Sequence, residues 1–418
     1  MQHPTLGKRL DELALLAQEQ DLSRLSRRLL DFFADFDADS KLRTEAIRLR
    51  ARYNAFAAQE VSEQDPEVRQ QLIREASRLA QTVSQAIPLP AAVEVETIGG
   101  GAYHSLPQER QVVFSGKGIS KTFVSPNFTF TLPQLDLDLR MGEITGVVGE
   151  NGNGKTTLLR MIAGELEISD GRIDYPAFDV KPGDWYRIKQ QIAFIPQALK
   201  AWKGFLKENL HFTAAIHGIR GQDNEEQVDF IIHRLGLTQY RDALWSEISS
   251  GYKLRFELAR ALVWNPTLLI IDEPLANLDI NAQEIFLQDL RYLASSEQNP
   301  MAILLSSQHL HEVESIADNI IFIKNGEALY NGSMQDFGQD REHNIFELTS
   351  SASKALIETA LQDMQNVRVE DRGRRKIIHT PIDIPSNRLL AELVKHDIPV
   401  DYFRDISTST LKLFREND

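Results

Sequence analysis

The chain has 418 residues, more than one ordinary hydrophobic core accommodates, so two or three domains are expected, each burying its own apolar interior. Its 60 Asp and Glu outweigh 46 Lys and Arg, giving a formal net charge of -14 and an isoelectric point near 5.3. That balance argues against a nucleic-acid partner, because a phosphate backbone selects for an excess of basic side chains. The absence of cysteine excludes disulfides, thiolate zinc sites and cysteine nucleophiles, in keeping with a cytosolic setting. No run reaches the roughly 18 apolar residues that cross a bilayer, and the polar start MQHPTLGKRLDEL lacks the apolar stretch of a signal peptide. No direct membrane span is expected.

Residues 1–90 read as an all-α domain. Leu25, Leu29, Phe32 and Phe33 fall at helical spacing, as do Val68, Leu72, Leu79 and Val83. Asp65 before Pro66 is a helix start, since Asp caps free amides and Pro fits the first turn. Arg27 and Arg28, and then Arg48, Arg50 and Arg52, are interleaved with acids and are expected on solvated helix faces. Residues 91–110 continue a linker announced by Ile87-Pro88-Leu89-Pro90 and containing Gly99-Gly100-Gly101, which cannot extend a helix.

From Val112, short β-rich runs give way to strands alternating with helical patterns up to about Gly332, so residues 111–340 are expected to form a nucleotide-binding α/β domain. Within it, His211, His217 and His233 lie on predicted helices without a ligand at metal spacing and are expected to be plain surface or core histidines. Residues 341–418 change pattern again. Extended runs at Ile345–Leu348, Val367–Val369, Ile377–Thr380 and Val400–Phe403 alternate with helices near Lys354–Leu361 and Leu389–Val394, ahead of a last short helix. The order βαββαβ predicts a small ferredoxin-like α+β domain. Arg372 to Lys376 falls between two of its strands and reads as a solvated hairpin turn.

Two motifs carry the chemistry. Gly149-Glu150-Asn151-Gly152-Asn153-Gly154-Lys155-Thr156 satisfies G-x-x-x-x-G-K-[ST] and follows the strand-like Ile144 to Val148. Its glycines let successive amides turn toward phosphates, and the following helix adds its dipole. Gly149, Asn151, Gly152, Asn153, Gly154, Lys155, Thr156 and Thr157 are therefore the expected phosphate-binding residues, with Lys155 on the β and γ phosphates of ATP and Thr156 on Mg2+. The second motif is Leu268-Leu269-Ile270-Ile271-Asp272-Glu273, a buried parallel strand that delivers two acids at its C-terminal edge. Asp272 is expected to hold Mg2+ and Glu273 to polarise the attacking water as general base.

With these motifs in place, the chain from about Val112 to Gly332 resembles the ATP-binding cassette (ABC) ATPases, and further residues carry the likeness. Gln197, in Ile195-Pro196-Gln197, resembles the family's Q-loop glutamine, which touches Mg2+ and water and senses the transmembrane partner. Ile248-Ser249-Ser250-Gly251-Tyr252 sits where the signature LSGGQ belongs, Ala276-Asn277-Leu278-Asp279 resembles the D-loop, and His309 resembles the switch histidine. Phe123 lies where the family stacks an aromatic ring on adenine. The resemblance implies a RecA-like core, an antiparallel β subdomain and a helical subdomain, with Gln197, Glu273 and His309 catalytic. The signature departs at three positions, Ile248, Ser250 and Tyr252, but Ser249 and Gly251 keep its hydroxyl and amide donors. A functional site is expected.

In this family two cassettes face head to tail, so the resemblance implies a homodimer in which Ser249, Ser250, Gly251 and Asp279 close over ATP on the other copy. Glu208 to Gly218 looks like the helical subdomain of exporters whose permease is a separate chain. The tail from Asp401 to Ser407, leading into Leu411 to Phe414, looks like the small regulatory domain that ends many exporter ATPases. The leading expectation is thus a transport ATPase, peripheral on the cytoplasmic face of the inner membrane, that meets a permease near Gln197, Trp202 and Phe205. The competing expectation is a soluble ABC switch or sensor whose N-terminal helices engage a protein. Leu49 to Phe56 resembles the effector-associated adaptor domains of bacterial conflict systems.

Overall fold

The computed structural model describes residues 4–36, 40–57, 59, 64–86, 110–181, 183–276, 278–337 and 343–406. The linker at Ile87 to Pro90 and Gly99 to Gly101, Asn277 of the D-loop, Ser407 and the last helix through Leu411 to Phe414 lie outside the described residues.

Among the described residues four helices come first: α1 (Pro4–Gln18), α2 (Leu22–Asp35), α3 (Ser40–Ala57) and α4 (Pro66–Ala86). Asp21 caps α2 by accepting the Arg24 amide at 3.0 Å, and Leu25, Leu29 and Phe32 on its apolar face are wholly buried. Asp65 starts α4 by accepting the Glu67 amide at 2.8 Å. Leu72, Leu79 and Val83 follow it into the core, whereas Val68 in the first turn is 38% exposed.

The basic face of α2 differs from the sequence expectation. Arg27, Arg28 and Arg50 are buried, not solvated. Arg27 meets Asp289 and Arg28 meets Asp31, at 2.7 and 2.8 Å, while Arg50 donates to the Ser23 carbonyl and the Ser26 hydroxyl. The acid that neutralises Arg27 comes from a distant helix, so the pattern along α2 could not reveal it. Arg48 is exposed and Arg52 pairs with Glu75 near the surface, as expected.

Next come β1 (Val112–Ser125), β2 (Phe128–Arg140), β3 (Ile144–Val148), α5 (Lys155–Ile162), β4 (Asp170–Asp174), α6 (Trp185–Lys189) and β5 (Ile192–Ile195). They are followed by α7 (Leu206–Ile216), α8 (Gly221–Arg234), α9 (Ser250–Leu262), β6 (Leu268–Ile271), α10 (Ile280–Ala294), β7 (Ala302–Ser307), α11 (Leu310–Glu314), β8 (Asn319–Lys324) and β9 (Glu327–Ser333). One sheet is antiparallel, in the order β2-β1-β4. The other runs β5-β6-β7-β3-β8-β9 and is parallel except for its last pair. Its central strands β3, β6 and β7 are buried along their whole length, as a parallel sheet covered on both faces requires. This order places the C-terminal ends of β3, β7 and β6 side by side, where open α/β sheets bind ligands. Helices α7, α8 and α9 are inserted between β5 and β6.

The chain closes with β10 (His343–Thr349), α12 (Lys354–Ala360), β11 (Arg368–Arg372), β12 (Arg375–Pro381), α13 (Ser386–Lys395) and β13 (Tyr402–Asp405). The strands form an antiparallel sheet ordered β11-β12-β10-β13 around a core that includes Phe346, Ile357, Ile378, Leu389 and Leu393. Arg372 pairs with Arg375 across the hairpin end. Lys376, expected in the solvated turn, is instead buried against Asp371 at 2.9 Å.

Candidate nucleotide site

The phosphate loop leaves β3 at a point where the backbone approaches β8 so closely that only glycine fits. A Cβ on Gly149 would lie 2.2 Å from the Ile323 carbonyl oxygen. At its far end Gly154 takes φ +101°, a left-handed conformation, and hands the chain to α5. Lys155, the first residue of α5, is 5% exposed and folds back over the loop. Its ammonium donates to the Gly149 and Glu150 carbonyls at 2.7 and 3.2 Å and lies 2.9 Å from Glu273 Oε1.

The acids from β6 are fixed by their neighbours. Asp272 accepts from Thr156 Oγ1 at 2.8 Å and from Ser306 Oγ at 2.6 Å, and Ser306 Oγ in turn accepts the Glu273 amide at 2.8 Å. One hydroxyl of β7 thus holds both acids in register. Glu273 adopts φ +49°, a left-handed backbone that costs an ordinary side chain about 1–2 kcal/mol. Strained backbone of this kind concentrates where a side chain must be aimed. Here it aims the carboxylate at Lys155.

An open cleft lies in front of these groups. Asn151, Gly152, Gly154, Lys155, Thr156 and Thr157 of the loop and α5 line it together with Gln197 and Glu273. Phe123 and Phe130 line it too. Phe123 is 40% exposed, with its ring 6.4 Å from that of Phe130. The sequence reading missed Phe130. The β1–β2 register makes Phe130 the direct cross-strand partner of Phe123, a pairing that only the structure reveals. Gly149 and Asn153 do not face the cleft. Asn153 is buried, and its side-chain oxygen accepts the Asn325 amide at 3.0 Å, which ties the loop to the turn after β8.

The signature lies elsewhere. Ser249, Gly251, Tyr252 and Arg255 line a second cleft with Leu278 and Asp279, and none of these residues borders the first. Ser249 precedes α9 with an exposed hydroxyl that makes no capping bond. Neither Ser250 nor Gly251 takes a positive φ, so serine in place of the signature's glycine introduces no backbone strain. The Asp279 carboxylate is engaged as the cap of α10, accepting the Ala282 amide at 2.9 Å. His309 is exposed just beyond β7, with its amide on Ser307 Oγ at 2.9 Å, and its side chain does not line either cleft.

Gln197 also borders a third cleft, shared with Arg160, Lys200, Glu257 and Arg260. Of the expected docking residues beside it, Phe205 is 45% exposed. Trp202 is not a free surface residue. It stacks on Trp245 at 5.0 Å and donates its indole N–H to the buried Glu257 at 2.8 Å. His217 stacks on Trp264 at 4.0 Å, and burial lowers its pKa. No cluster of three or more His, Cys, Asp or Glu suited to a metal occurs among the described residues. No described helix is long and apolar enough to cross a membrane.

Residues 132–276 match a family model described as ABC transporter. The ABC transporter ATP-binding protein NatA of Bacillus subtilis (strain 168) is 32% identical over 205 residues, which cover 48% of this chain and 81% of NatA. The methionine import ATP-binding protein MetN of Geobacillus kaustophilus (strain HTA426) is 29% identical over 245 residues, 57% of this chain and 70% of MetN. A solved structure described as the ATP binding subunit of an ABC transporter matches 54% of this chain and 92% of its own, at 23% identity and a TM-score of 0.48.

Proposed function

Because the chain belongs to the ABC transporter ATP-binding proteins and is an ATP-binding ATPase of that class, we propose that it works as a head-to-tail homodimer that powers a separate membrane permease. The observation that carries this reading is the separation of the two clefts within one chain. Lys155 and Glu273 face one cleft, Ser249 and Gly251 the other, so a complete site needs the first from one copy and the second from its partner.

In this reading the loop amides and Lys155 hold the phosphates of ATP, with the adenine against Phe123 and Phe130. Mg2+ fits the oxygen donors Thr156 and Asp272, already paired at 2.8 Å, and when bound it offsets charge on the phosphates. Glu273 accepts the proton of the attacking water, Gln197 orients that water, and His309 is brought to the γ-phosphate by closure. Ser249, Ser250 and Gly251 of the partner present the N-terminal amides of α9, a 13-residue helix, to the same phosphate. Asp279 supports them by holding the start of α10.

The domain proposal is an N-terminal helical domain at 1–90, a linker at 91–110, the cassette at 111–340 and a regulatory domain at 341–418. The antiparallel order β13-β10-β12-β11 supports reading the last as ferredoxin-like. The cleft that Gln197 borders and the exposed Phe205 are the proposed seat of the permease, and a peripheral position on the cytoplasmic face of the inner membrane is part of the same proposal. A soluble switch whose helical domain engages another protein is the second reading, favoured by the ion pairs that join α2 to the cassette.

Purified Glu273→Gln given ATP and Mg2+ tests the assignment. Turnover is expected to fall about 100-fold or more, as for loss of a general base, and light scattering is expected to show a dimer only with ATP. Unchanged turnover would remove Glu273 as the base, and a monomer under saturating ATP would remove the composite site. Recovery of the trapped dimer with a membrane protein or with a soluble one separates the two readings.

A further inference from the structure

We infer that the N-terminal helices position the signature half of the ATPase site, with Arg27 and Arg28 of α2 as positioning residues. The inference rests on the head-to-tail reading above and adds a regulator to it.

Helix α2 grips the cassette at two elements. The first is α10. Arg27 Nη1 lies 2.7 Å from Asp289 Oδ2, with the two side chains only 10% and 14% exposed. The guanidinium carbons of Arg28 and Arg9 lie 3.5 and 3.6 Å from the centroid of the Tyr292 ring. Asp35 accepts from Ser296, just past the end of α10, at 2.6 Å. The second element is α8, where Arg234 Nε donates to Asp31 Oδ1 at 2.7 Å. Asp31 also takes Arg28 Nη1 at 2.8 Å, so Arg28 touches both attachments at once. Burial works against the charge on Arg27, yet the Asp289 carboxylate holds its pKa above the ordinary value.

The first of these elements forms one wall of the signature cleft, and the second packs against the helix that forms the other. Asp279 caps α10, and Ala282 and Phe286 on its first two turns line the cleft. Asp289 is the next turn along, about 15 Å from Asp279 at 1.5 Å per residue. The facing wall, Ser249, Gly251 and Arg255, belongs to α9, which packs against α8. A rigid helix transmits a displacement at Asp289 to Asp279. A rotation of α8 relative to α10 changes the cleft width. Helix α2 spans both, so its buried ion pairs set the distance between the walls that must close on the partner's ATP. Desolvated, hydrogen-bonded pairs hold such a geometry more stiffly than exposed ones. A ligand bound to the N-terminal helices would reach the ATPase site by the same route.

The test uses the full chain in the Glu273→Gln background, with Arg27→Glu, Asp289→Arg and the two together. Binding of a fluorescent ATP analogue to the monomer is expected to stay within about twofold, because the phosphate loop is untouched, while ATP-driven dimerisation weakens about tenfold or more in each single reversal, in line with the cost of breaking a desolvated charge pair. The charge swap is expected to recover most of that loss, and Arg27→Lys to retain more of the ATP-driven dimerisation than Arg27→Glu. With the wild-type Glu273, Arg27→Glu is expected to lower kcat at unchanged KM. Undiminished dimerisation in the single reversals would overturn the inference. So would joint loss of ATP binding and thermal stability without recovery by the swap, which marks a purely structural pair. If Glu273→Gln alone stays monomeric with ATP, the composite-site reading fails first and the inference falls with it, a result visible before any Arg27 variant is made.

Discussion

At the residue scale the site is a set of mutual restraints. Ser306 holds Asp272 and Glu273, Lys155 faces Glu273, and Thr156 is already on Asp272. These partners were legible as residue types in two contiguous motifs, but Ser306 was not, since nothing local marks one strand serine as the link between two acids. Asp31 shows the same limit. Burial would raise its pKa, but Arg234 and Arg28 outweigh burial and hold it below the ordinary 3.8. The sign follows directly. A carboxylate with a depressed folded pKa contributes its full stability above the unfolded value and loses it as the pH falls through the folded one. Asp31→Asn is therefore expected to destabilise the protein by about 3 kcal/mol at pH 7, the scale for breaking a buried pair. In urea titrations the gap from the parent should narrow only below pH 3.8. A gap that closes between pH 7 and 5 would show that Asp31 is not the depressed group.

At the scale of elements, helix α9 joins the signature to the Gln197 side of the cassette. Its Glu257 is 2% exposed and takes the indole N–H of Trp202 together with Arg260, at 2.8 and 2.6 Å. Trp202→Phe keeps an aromatic ring against Trp245 but removes that donor, so it is expected to cost about 1–3 kcal/mol for a buried acceptor left short of a partner. Chemical denaturation reads the loss, and Trp202→Phe with Glu257→Gln should be less than additive. Strictly additive losses would deny the contact its role. The start and type of such helices were legible, since Asp65 before Pro66 marks α4 and an apolar stripe marks α2. The role of Trp202 was not, because exposure depends on what another element lays over a ring. An aromatic residue near a Q-loop reads equally well as a docking surface or as core.

For the whole molecule, the cores decide what melts together. Leu13, Leu29, Phe32 and Leu72 of the N-terminal helices share one buried cluster with Phe230, Leu290 and Leu293 of the cassette. The C-terminal sheet packs a cluster of its own. Calorimetry is expected to resolve two transitions, with ATP at 100 times its Kd stabilising only the unit that contains the N-terminal helices and cassette, by about 2.7 kcal/mol. A separate N-terminal transition insensitive to ATP would contradict the shared core. The sequence by itself determined the phosphate loop, the acid pair at the end of β6 and the element order of the last domain, because each depends on a short run whose backbone geometry or periodicity is local. Only the tertiary structure decided that Arg27 and Arg28 of α2 are buried and which acids face them. Arg27 and Asp289 are 262 residues apart, and the partner of a buried charge is chosen by packing, which no local pattern records.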